Sequence, residues 1–278
     1  MPEDRETPFI VIFTDLDGTL LDHASYNWRA AEPALEHCKR LNIPIILASS
    51  KTRAEMGVLR NAMGLQYPFI SENGGGLSFP AVNGEKAPPG ASLVENMWQL
   101  SLGTPYGQLV SALREIREEL GWSIRGFSDM QPEEISHVTG LDLDASRLAA
   151  EREFDEPFFL EKGAGEKDLL YRAARRRGLN ITQGGRFYHL HGDNDKGEAA
   201  KRLTSWYREA HPRVLTAAFG DSPNDFGMLK QVDYPVLIRS FRDFPGIEAV
   251  IPGVRMSREK GPKGWNTMVL NLLAEKLN

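Results

Sequence analysis

The stretch FIVIFTDLDGTL, from Phe9 to Leu20, runs from five apolar residues into two carboxylates and a glycine. Its apolar part is β-branched or aromatic without a polar interruption, which predicts a strand buried on both faces, as in a parallel sheet covered by helices. Asp15 and Asp17 follow the carboxyl end of that strand, where ligands bind in open α/β sheets. Because Gly18 permits a turn, both acids can point towards one site.

The composition is that of a soluble globular protein. The chain has 278 residues, of which 41% are hydrophobic and 26% charged, and its formal net charge is −5. This negative balance argues against a protein that binds nucleic acid by neutralising phosphates. The apolar runs are far shorter than the roughly 20 residues of a membrane span, and the amino terminus lacks the apolar core of a secretory signal. A cytoplasmic protein without nucleic-acid or membrane partners is expected, and Cys38, the single cysteine, cannot form an internal disulfide.

Strand and helix patterns alternate near both ends of the chain, which predicts β-α-β units and a parallel sheet. The predicted strands are 9–13, 43–48, 68–71, 214–219 and 234–238. The predicted helices of this part are 27–41, 53–63, 195–211 and 265–277. From Phe79 to about Gly90 the sequence becomes rich in Pro, Gly, Asn and Lys, which indicates the entry to a second domain or an exposed hairpin. The elements predicted beyond it are helices at 105–120, 132–137, 146–152 and 166–177, a strand at 154–160 and a hairpin at 181–190.

Polar residues follow the predicted strands. Ser49 directly ends the second strand, and either Ser50 or Thr52 could cap the helix that comes next. Lys196 stands near a helix start, against the preference of the helix dipole, which is easier to explain if its ammonium serves a site. After the fourth strand comes Gly-Asp-Ser-Pro-Asn-Asp, at 220–225. Carboxylates in this position could hold a hard cation, which prefers oxygen ligands.

The string Asp-x-Asp-Gly-Thr at Asp15 resembles the nucleophile motif of the haloacid dehalogenase superfamily, whose members are mostly Mg-dependent phosphatases. The three further motifs of that superfamily are matched, in order, by Ser49, Lys196 and the 220–225 string. The resemblance implies that Asp15 is a nucleophile forming an aspartyl-phosphate, and that Asp17 is the general acid and base. It implies that Ser49 and Lys196 hold the phosphoryl group. The Mg²⁺ ligands that it implies are Asp15, Asp17, Asp221 and Asp225.

The same resemblance implies an α/β fold. Its core is Rossmann-like, with a mostly parallel sheet, and would comprise residues 1–83 and 189–278. Residues 84–188 would form an inserted α+β cap domain.

A narrower resemblance rests on four strings, which are similar to those of mannosyl-3-phosphoglycerate phosphatases. They are SSKTRAE at 49–55, REFDEPF at 152–158, GRFYHL at 185–190 and GPKGWN at 261–266. This resemblance implies removal of phosphate from mannosyl-3-phosphoglycerate, a small phosphorylated sugar-glycerate, to give the compatible solute mannosylglycerate. A glucosyl-3-phosphoglycerate or general sugar-phosphate phosphatase, and a phosphotransferase or mutase with the same intermediate, remain alternatives. The oligomeric state stays open.

The expected substrate contacts come from several loops. Arg186, beside two glycines, could form a two-point contact with a carboxylate or could be an exposed strand end. The full set of expected contacts is Ser50, Lys51, Asn73, Gly74, Arg186 and Asn224.

Overall fold

The computed structural model describes residues 7–81, 87–161, 167–184 and 187–277. The chain forms two compact units. Unit 1 contains the described residues of Met1–Ser49, Tyr67–Ile70 and Asp195–Asn278, and unit 2 those of Ser50–Gln66 and Ser71–Asn194. These bounds are not the ones expected for a core and a cap, and the assignment of those two roles stays a prediction.

The described residues form thirteen strands and ten α-helices, numbered here in chain order. The strands are β1 Phe9–Thr14, β2 Ile45–Ala48, β3 Phe69–Ser71, β4 Gly76–Pro80, β5 Ser92–Val94, β6 Met97–Ser101, β7 Ile124–Gly126, β8 Asp155–Leu160, β9 Asn180–Gly184, β10 Phe187–His191, β11 Val214–Gly220, β12 Tyr234–Arg239 and β13 Arg255–Lys260. The helices are α1 Glu32–Arg40, α2 Arg53–Ala62, α3 Tyr106–Leu120, α4 Pro132–Thr139, α5 Leu143–Ala150, α6 Lys167–Arg175, α7 Lys196–Ala210, α8 Phe226–Leu229, α9 Ile247–Val250 and α10 Gly261–Leu277.

Unit 1 is built on a parallel sheet with the strand order β13-β12-β11-β1-β2-β3. Strand β1 lies inside this sheet, between β11 and β2, and its residues from Ile10 to Thr14 are all buried. The predicted α/β fold with a mostly parallel sheet is therefore confirmed. Because parallel strands end at the same edge, the residues that follow β1, β2, β11 and β12 share one edge of the sheet.

Unit 2 contains a four-stranded antiparallel sheet with the order β7-β8-β10-β9. Helices α3 and α6 and this sheet contribute apolar side chains to one core. The core includes Leu109, Leu113, Ile116, Phe158, Leu170 and Leu190. Of the hairpin or strand pair predicted at 181–190, the described residues form β9 and β10, which pair in antiparallel register. Strands β4, β6 and β5 also pair in antiparallel register. The sequence predicted only a domain entry or an exposed hairpin in this region.

Several helix ends differ from the predictions for identifiable reasons. The helix expected from 27 starts instead as a 3₁₀ turn at Arg29–Ala31, and α1 begins at Glu32, because Pro33 fits only the first turn. Helix α5 begins before Ser146 because Asp142 caps it, accepting from the Ala145 amide. Thr52, rather than Ser50, caps α2. None of the helices among the described residues is both long and apolar enough to cross a membrane.

Candidate active site

Asp15 is the first residue after β1, and its backbone is fixed on both sides. Its N–H donates to the carbonyl oxygen of Phe219 on β11 at 2.9 Å, and its own carbonyl accepts from the Thr14 hydroxyl at 2.8 Å. The residue is only 6% exposed. A central strand of a sheet thus holds one buried carboxylate at its carboxyl end.

Lys196 is the first residue of α7, and the cap of that helix positions it. Asp195 caps the helix: its carboxylate accepts from the Gly197 and Glu198 amides, so the helix begins at the lysine. The Lys196 ammonium donates to Asp15 Oδ1 at 2.6 Å and to Asp225 Oδ1 at 2.7 Å. Burial disfavours the cation, but the two carboxylates outweigh it and raise the pKa of Lys196. The lysine therefore carries its charge at neutral pH.

Asp225 organises the loop after β11 with its second oxygen. Its Oδ2 accepts from the backbone amides of Asp221 at 3.0 Å and Ser222 at 3.1 Å, and from the Ser222 hydroxyl at 3.1 Å. A Cβ on Gly220 would lie 2.3 Å from the Asp225 Cβ, so only glycine allows this wrapped loop. Asp225 is fully buried, and both of its oxygens have protein partners.

The carboxylates of Asp15, Asp221 and Asp225 converge, with one oxygen from each lying within 4.8 Å of the others. Burial and the charge of Asp225 raise the pKa of Asp15 well above its usual range, while Lys196 opposes them. Burial and Asp225 likewise raise the pKa of Asp221 to about 6. Three carboxylates with one lysine leave an excess of negative charge in a buried place. An all-oxygen donor set of this kind suits a hard cation such as Mg²⁺ or Ca²⁺.

Comparison with known proteins accounts for this arrangement. The family described as haloacid dehalogenase-like hydrolase matches residues 12–85. A glucosyl-3-phosphoglycerate/mannosyl-3-phosphoglycerate phosphatase from Methanococcoides burtonii is 39% identical over 268 residues, which cover 96% of this chain and 98% of the relative. The chain belongs to the haloacid dehalogenase-like hydrolases. The superfamily membership inferred from the four motifs is thus confirmed, and the protein is an enzyme.

Further similarities extend over most of this haloacid dehalogenase-like hydrolase. A mannosyl-3-phosphoglycerate phosphatase from Pyrococcus furiosus is 39% identical over 84% of this chain and 92% of the relative. A solved structure from Thermoplasma acidophilum matches 95% of this chain and 98% of its own, with a TM-score of 0.67 and 18% identity. At that identity, the structural match speaks for the fold alone.

Two more of the predicted haloacid dehalogenase residues lie at the same sheet edge. Asp17 is half-buried in the turn after β1, where the Gly18 amide donates to the Leu21 carbonyl at 3.0 Å. Ser49 is buried directly after β2, and its amide donates to the Ile70 carbonyl at 3.0 Å. The catalytic roles given to Asp17 and Ser49 stay predictions.

The predicted substrate contacts are more scattered. Asn224 is exposed in the 3₁₀ turn after β11, and the Ser222 hydroxyl donates to its side-chain oxygen. Ser50, Lys51, Asn73 and Gly74 belong to unit 2. Arg186 lies outside the described residues. None of these six contacts is tested, and they stay predictions.

Glu72 is a buried acid in unit 2 that the sequence analysis assigned no role. Its backbone has a φ of 46°, which an L-residue seldom adopts, and the next residue, Asn73, has a φ of 53°. The Glu72 carboxylate accepts from the amides of Glu153 at 2.9 Å and Phe154 at 2.7 Å. Burial raises its pKa to about 7. The carboxylate thus ties two distant chain segments of this unit together.

Other contributors to the site act indirectly, and of these the sequence analysis expected only the turn at Gly18. Gly18 has a φ of +85°, and a Cβ there would lie 2.8 Å from Asp221 Oδ2, so this glycine lets the first loop approach the Asp221 carboxylate. Ser222 donates to Asp225. The charge of His23 opposes the burial that raises the pKa of Asp221. Gly18 in the first motif and Ser222 in the fourth motif carried a sequence signal, whereas His23 carried none.

Proposed function

We propose that this protein is a phosphatase that releases phosphate from mannosyl-3-phosphoglycerate or its glucosyl analogue through an aspartyl-phosphate. The observation that carries the proposal is the buried Asp15 carboxylate held by Lys196, in a chain similar along nearly its whole length to a phosphatase named for both substrates. That double name supports the glucosyl alternative beside the mannosyl one. Mannosylglycerate or glucosylglycerate would be the product.

In the first half-reaction, an Asp15 oxygen attacks phosphorus and the bond from phosphorus to the glycerate oxygen breaks. Asp17 gives its proton to that leaving oxygen, which departs as a neutral hydroxyl group of the organic product. In the second half-reaction, Asp17 takes a proton from water, whose oxygen attacks the aspartyl-phosphate and releases Asp15 and inorganic phosphate. Covalent catalysis thereby divides one difficult displacement into two easier ones.

Lys196 and Ser49 supply positioning. The lysine donates to the Asp15 oxygen Oδ1, which opposes the effect of burial on the pKa of that carboxyl and aims its other oxygen. The same ammonium offers positive charge to phosphoryl oxygens, and the Ser49 hydroxyl offers a hydrogen bond. In a buried site such fixed donors stabilise developing charge more strongly than water does.

The donor set fits Mg²⁺. Asp15 and Asp221 would hold the ion with their carboxylates, together with the backbone carbonyl of Asp17. Asp225 already has protein partners at both oxygens, so it would act mainly by orienting Asp221 and Lys196. When bound, the ion would neutralise phosphoryl charge.

A screen of phosphate release tests the proposal. We expect the purified chain with Mg²⁺ to act on mannosyl- and glucosyl-3-phosphoglycerate far better than on 3-phosphoglycerate or hexose phosphates. Asp15→Asn should abolish release by removing the nucleophile without changing its shape. Asp243→Asn, the same change at an exposed position, is the matched control and should retain activity.

Two results would contradict the proposal. Hexose phosphates as the best substrates would make the chain a general sugar phosphatase. Substantial activity in Asp15→Asn would exclude the aspartyl-phosphate.

A further inference from the structure

Phe241 stands out on the surface of unit 1. Its side chain is 79% exposed, more than any other large apolar side chain among the described residues. Single exposed apolar residues are ordinary, but this one lies two residues after the end of β12. The carboxyl ends of parallel strands are where ligands bind. Its place, rather than its exposure alone, therefore calls for a functional account.

Two charged or titratable side chains from other loops surround the Phe241 ring. The Lys260 ammonium lies 3.9 Å from the ring centroid, and the His23 ring centroid is 5.9 Å away. A cation over an aromatic face is attracted by the ring quadrupole. The aromatic ring thus orients a long, flexible lysine that is otherwise exposed.

This Phe241–Lys260 pair adjoins the catalytic carboxylates through its chain neighbours. The Ser240 hydroxyl lies 3.3 Å from the carbonyl oxygen of Asp221. A Cβ on Gly261 would lie 3.8 Å from the carbonyl oxygen of Gly18, which follows Asp17 in the chain. Residues on both sides of the pair therefore touch the two loops that carry the acids.

The substrate of the proposed function needs a second cation. It carries a carboxylate only four bonds from phosphorus, so the carboxylate would lie at the edge of the phosphoryl site. Lys196 is already engaged with Asp15 and Asp225 and is buried. Within the described chain, no ion pair to an acid engages the Lys260 ammonium.

We propose that Lys260, positioned by the Phe241 ring, binds the carboxylate of the glycerate moiety at the rim of the phosphoryl site. The inference rests on the proposed function. Lys260 would contact the substrate directly, whereas Phe241 is a positioning residue that acts through Lys260. A charged hydrogen bond of this kind selects phosphorylated glycerates over phosphate esters that lack a carboxylate.

Competitive inhibition of p-nitrophenyl phosphate hydrolysis tests the carboxylate contact. The two inhibitors are 3-phosphoglycerate and glycerol 3-phosphate, which differ in the carboxylate. Lys260→Met should weaken inhibition by 3-phosphoglycerate at least about tenfold more than inhibition by glycerol 3-phosphate. Arg258→Met removes the same charge two residues earlier in β13 and should leave the ratio of the two inhibition constants unchanged.

The positioning role of Phe241 has its own readout. Phe241→Ala should shift the ratio of the two inhibition constants in the same direction as Lys260→Met. Phe241→Trp should keep that ratio near its wild-type value, because an indole also attracts the cation. The double variant of Phe241→Ala and Lys260→Met should be no worse than Lys260→Met alone. Additive effects would show that Phe241 does not act through Lys260.

The outcomes separate this inference from the proposed function. An unchanged ratio in Lys260→Met, or equal weakening of both inhibitors, overturns the carboxylate contact even if the enzyme prefers glycosyl-3-phosphoglycerates. A wild-type enzyme that rejects those substrates overturns the proposed function by itself. The inhibitor ratio then still decides whether Lys260 binds a carboxylate.

Discussion

At the scale of single residues, Lys196 donates to two carboxylates, those of Asp15 and Asp225. Its charge also lowers the pKa of Asp221, but burial and Asp225 outweigh it there. Burying ionised groups is expensive unless each is paired and hydrogen-bonded. Asp15 and Asp225 meet that condition through the lysine, whereas the cluster as a whole keeps its excess of negative charge. Mutual repulsion of the acids therefore persists in the folded protein, and a bound cation would relieve it.

The role proposed for Asp17 makes a prediction about leaving groups. Asp17→Asn should lower the rate with glycosyl-3-phosphoglycerate by about 10² to 10⁴, because the glycerate oxygen must be protonated as it leaves. The loss with p-nitrophenyl phosphate should be much smaller, since p-nitrophenolate leaves without a proton. Rates under single turnover for both esters provide the measurement. An equal loss on both would remove Asp17 from the role of general acid.

At the scale of elements, the turn after β1 approaches the loop after β11 through Gly18. Gly18→Ala adds a methyl group 2.8 Å from Asp221 Oδ2 at a φ of +85°. We expect the Mg²⁺ concentration for half-maximal activity to rise about tenfold, since a shift of about 1.4 kcal/mol suffices. Gly246→Ala is the control: its φ is +76°, but open space surrounds it. Equal effects of the two changes on Mg²⁺ dependence would show that backbone strain alone is responsible.

The buried Glu72 carboxyl of unit 2 predicts that the stability of the protein depends on pH. Burial raises the pKa of Glu72 to about 7 from 4.5, so the folded state binds this proton more tightly than the unfolded state. The stability that Glu72 contributes is fully present below pH 4.5 and is lost as pH rises through 7. Urea unfolding should therefore show wild type losing stability relative to Glu72→Gln between about pH 5 and pH 8.

Glu118→Gln is the same change at an exposed position. Its stability relative to wild type should stay the same between about pH 5 and pH 8. If wild type and Glu72→Gln lose stability in parallel, the buried carboxylate does not titrate in this range.

The elements that the sequence predicted best are those with an uninterrupted apolar pattern, such as β1 and β11. Strand β13 was missed because its sequence, RMSREK, is mostly charged, and tertiary pairing with β12 rather than propensity forms it. Helix α10 starts at Gly261 instead of 265 because Gly and Pro resemble a break in sequence. In the structure they occupy the first turn, where Pro is tolerated.

Within the site, the acids and Lys196 could be predicted because their motifs fix residue type and spacing. Phe241 and Lys260 could not, since they meet only when two separate strand ends come together. Glu72 was missed for a similar reason: its partners, Glu153 and Phe154, lie about eighty residues away. Local patterns can be predicted from a single sequence, whereas contacts between residues far apart in the chain cannot.

At the scale of the whole molecule, metal binding should stabilise the fold. A ligand that binds only the folded state adds about 2.7 kcal/mol at a hundred times its dissociation constant. Mg²⁺ should therefore raise the melting temperature by several degrees relative to EDTA, and Asp221→Asn should abolish that rise. Differential scanning fluorimetry at constant ionic strength measures both. EDTA should also stop turnover, and an unaltered shift in Asp221→Asn would place the metal elsewhere.

The position of β1 between β2 and β11 has a consequence for biosynthesis. The register pairs Phe9 with Val214 and Thr14 with Phe219, so one neighbour of β1 is synthesised about 200 residues after it. At about 5 to 20 residues per second, the nascent strand waits about 10 to 40 s for that neighbour. During this interval one edge of an apolar strand lacks its native partner and is open to pairing with other chains. The order of synthesis thus leaves β1, the strand that precedes Asp15, open to mispairing until β11 has been made.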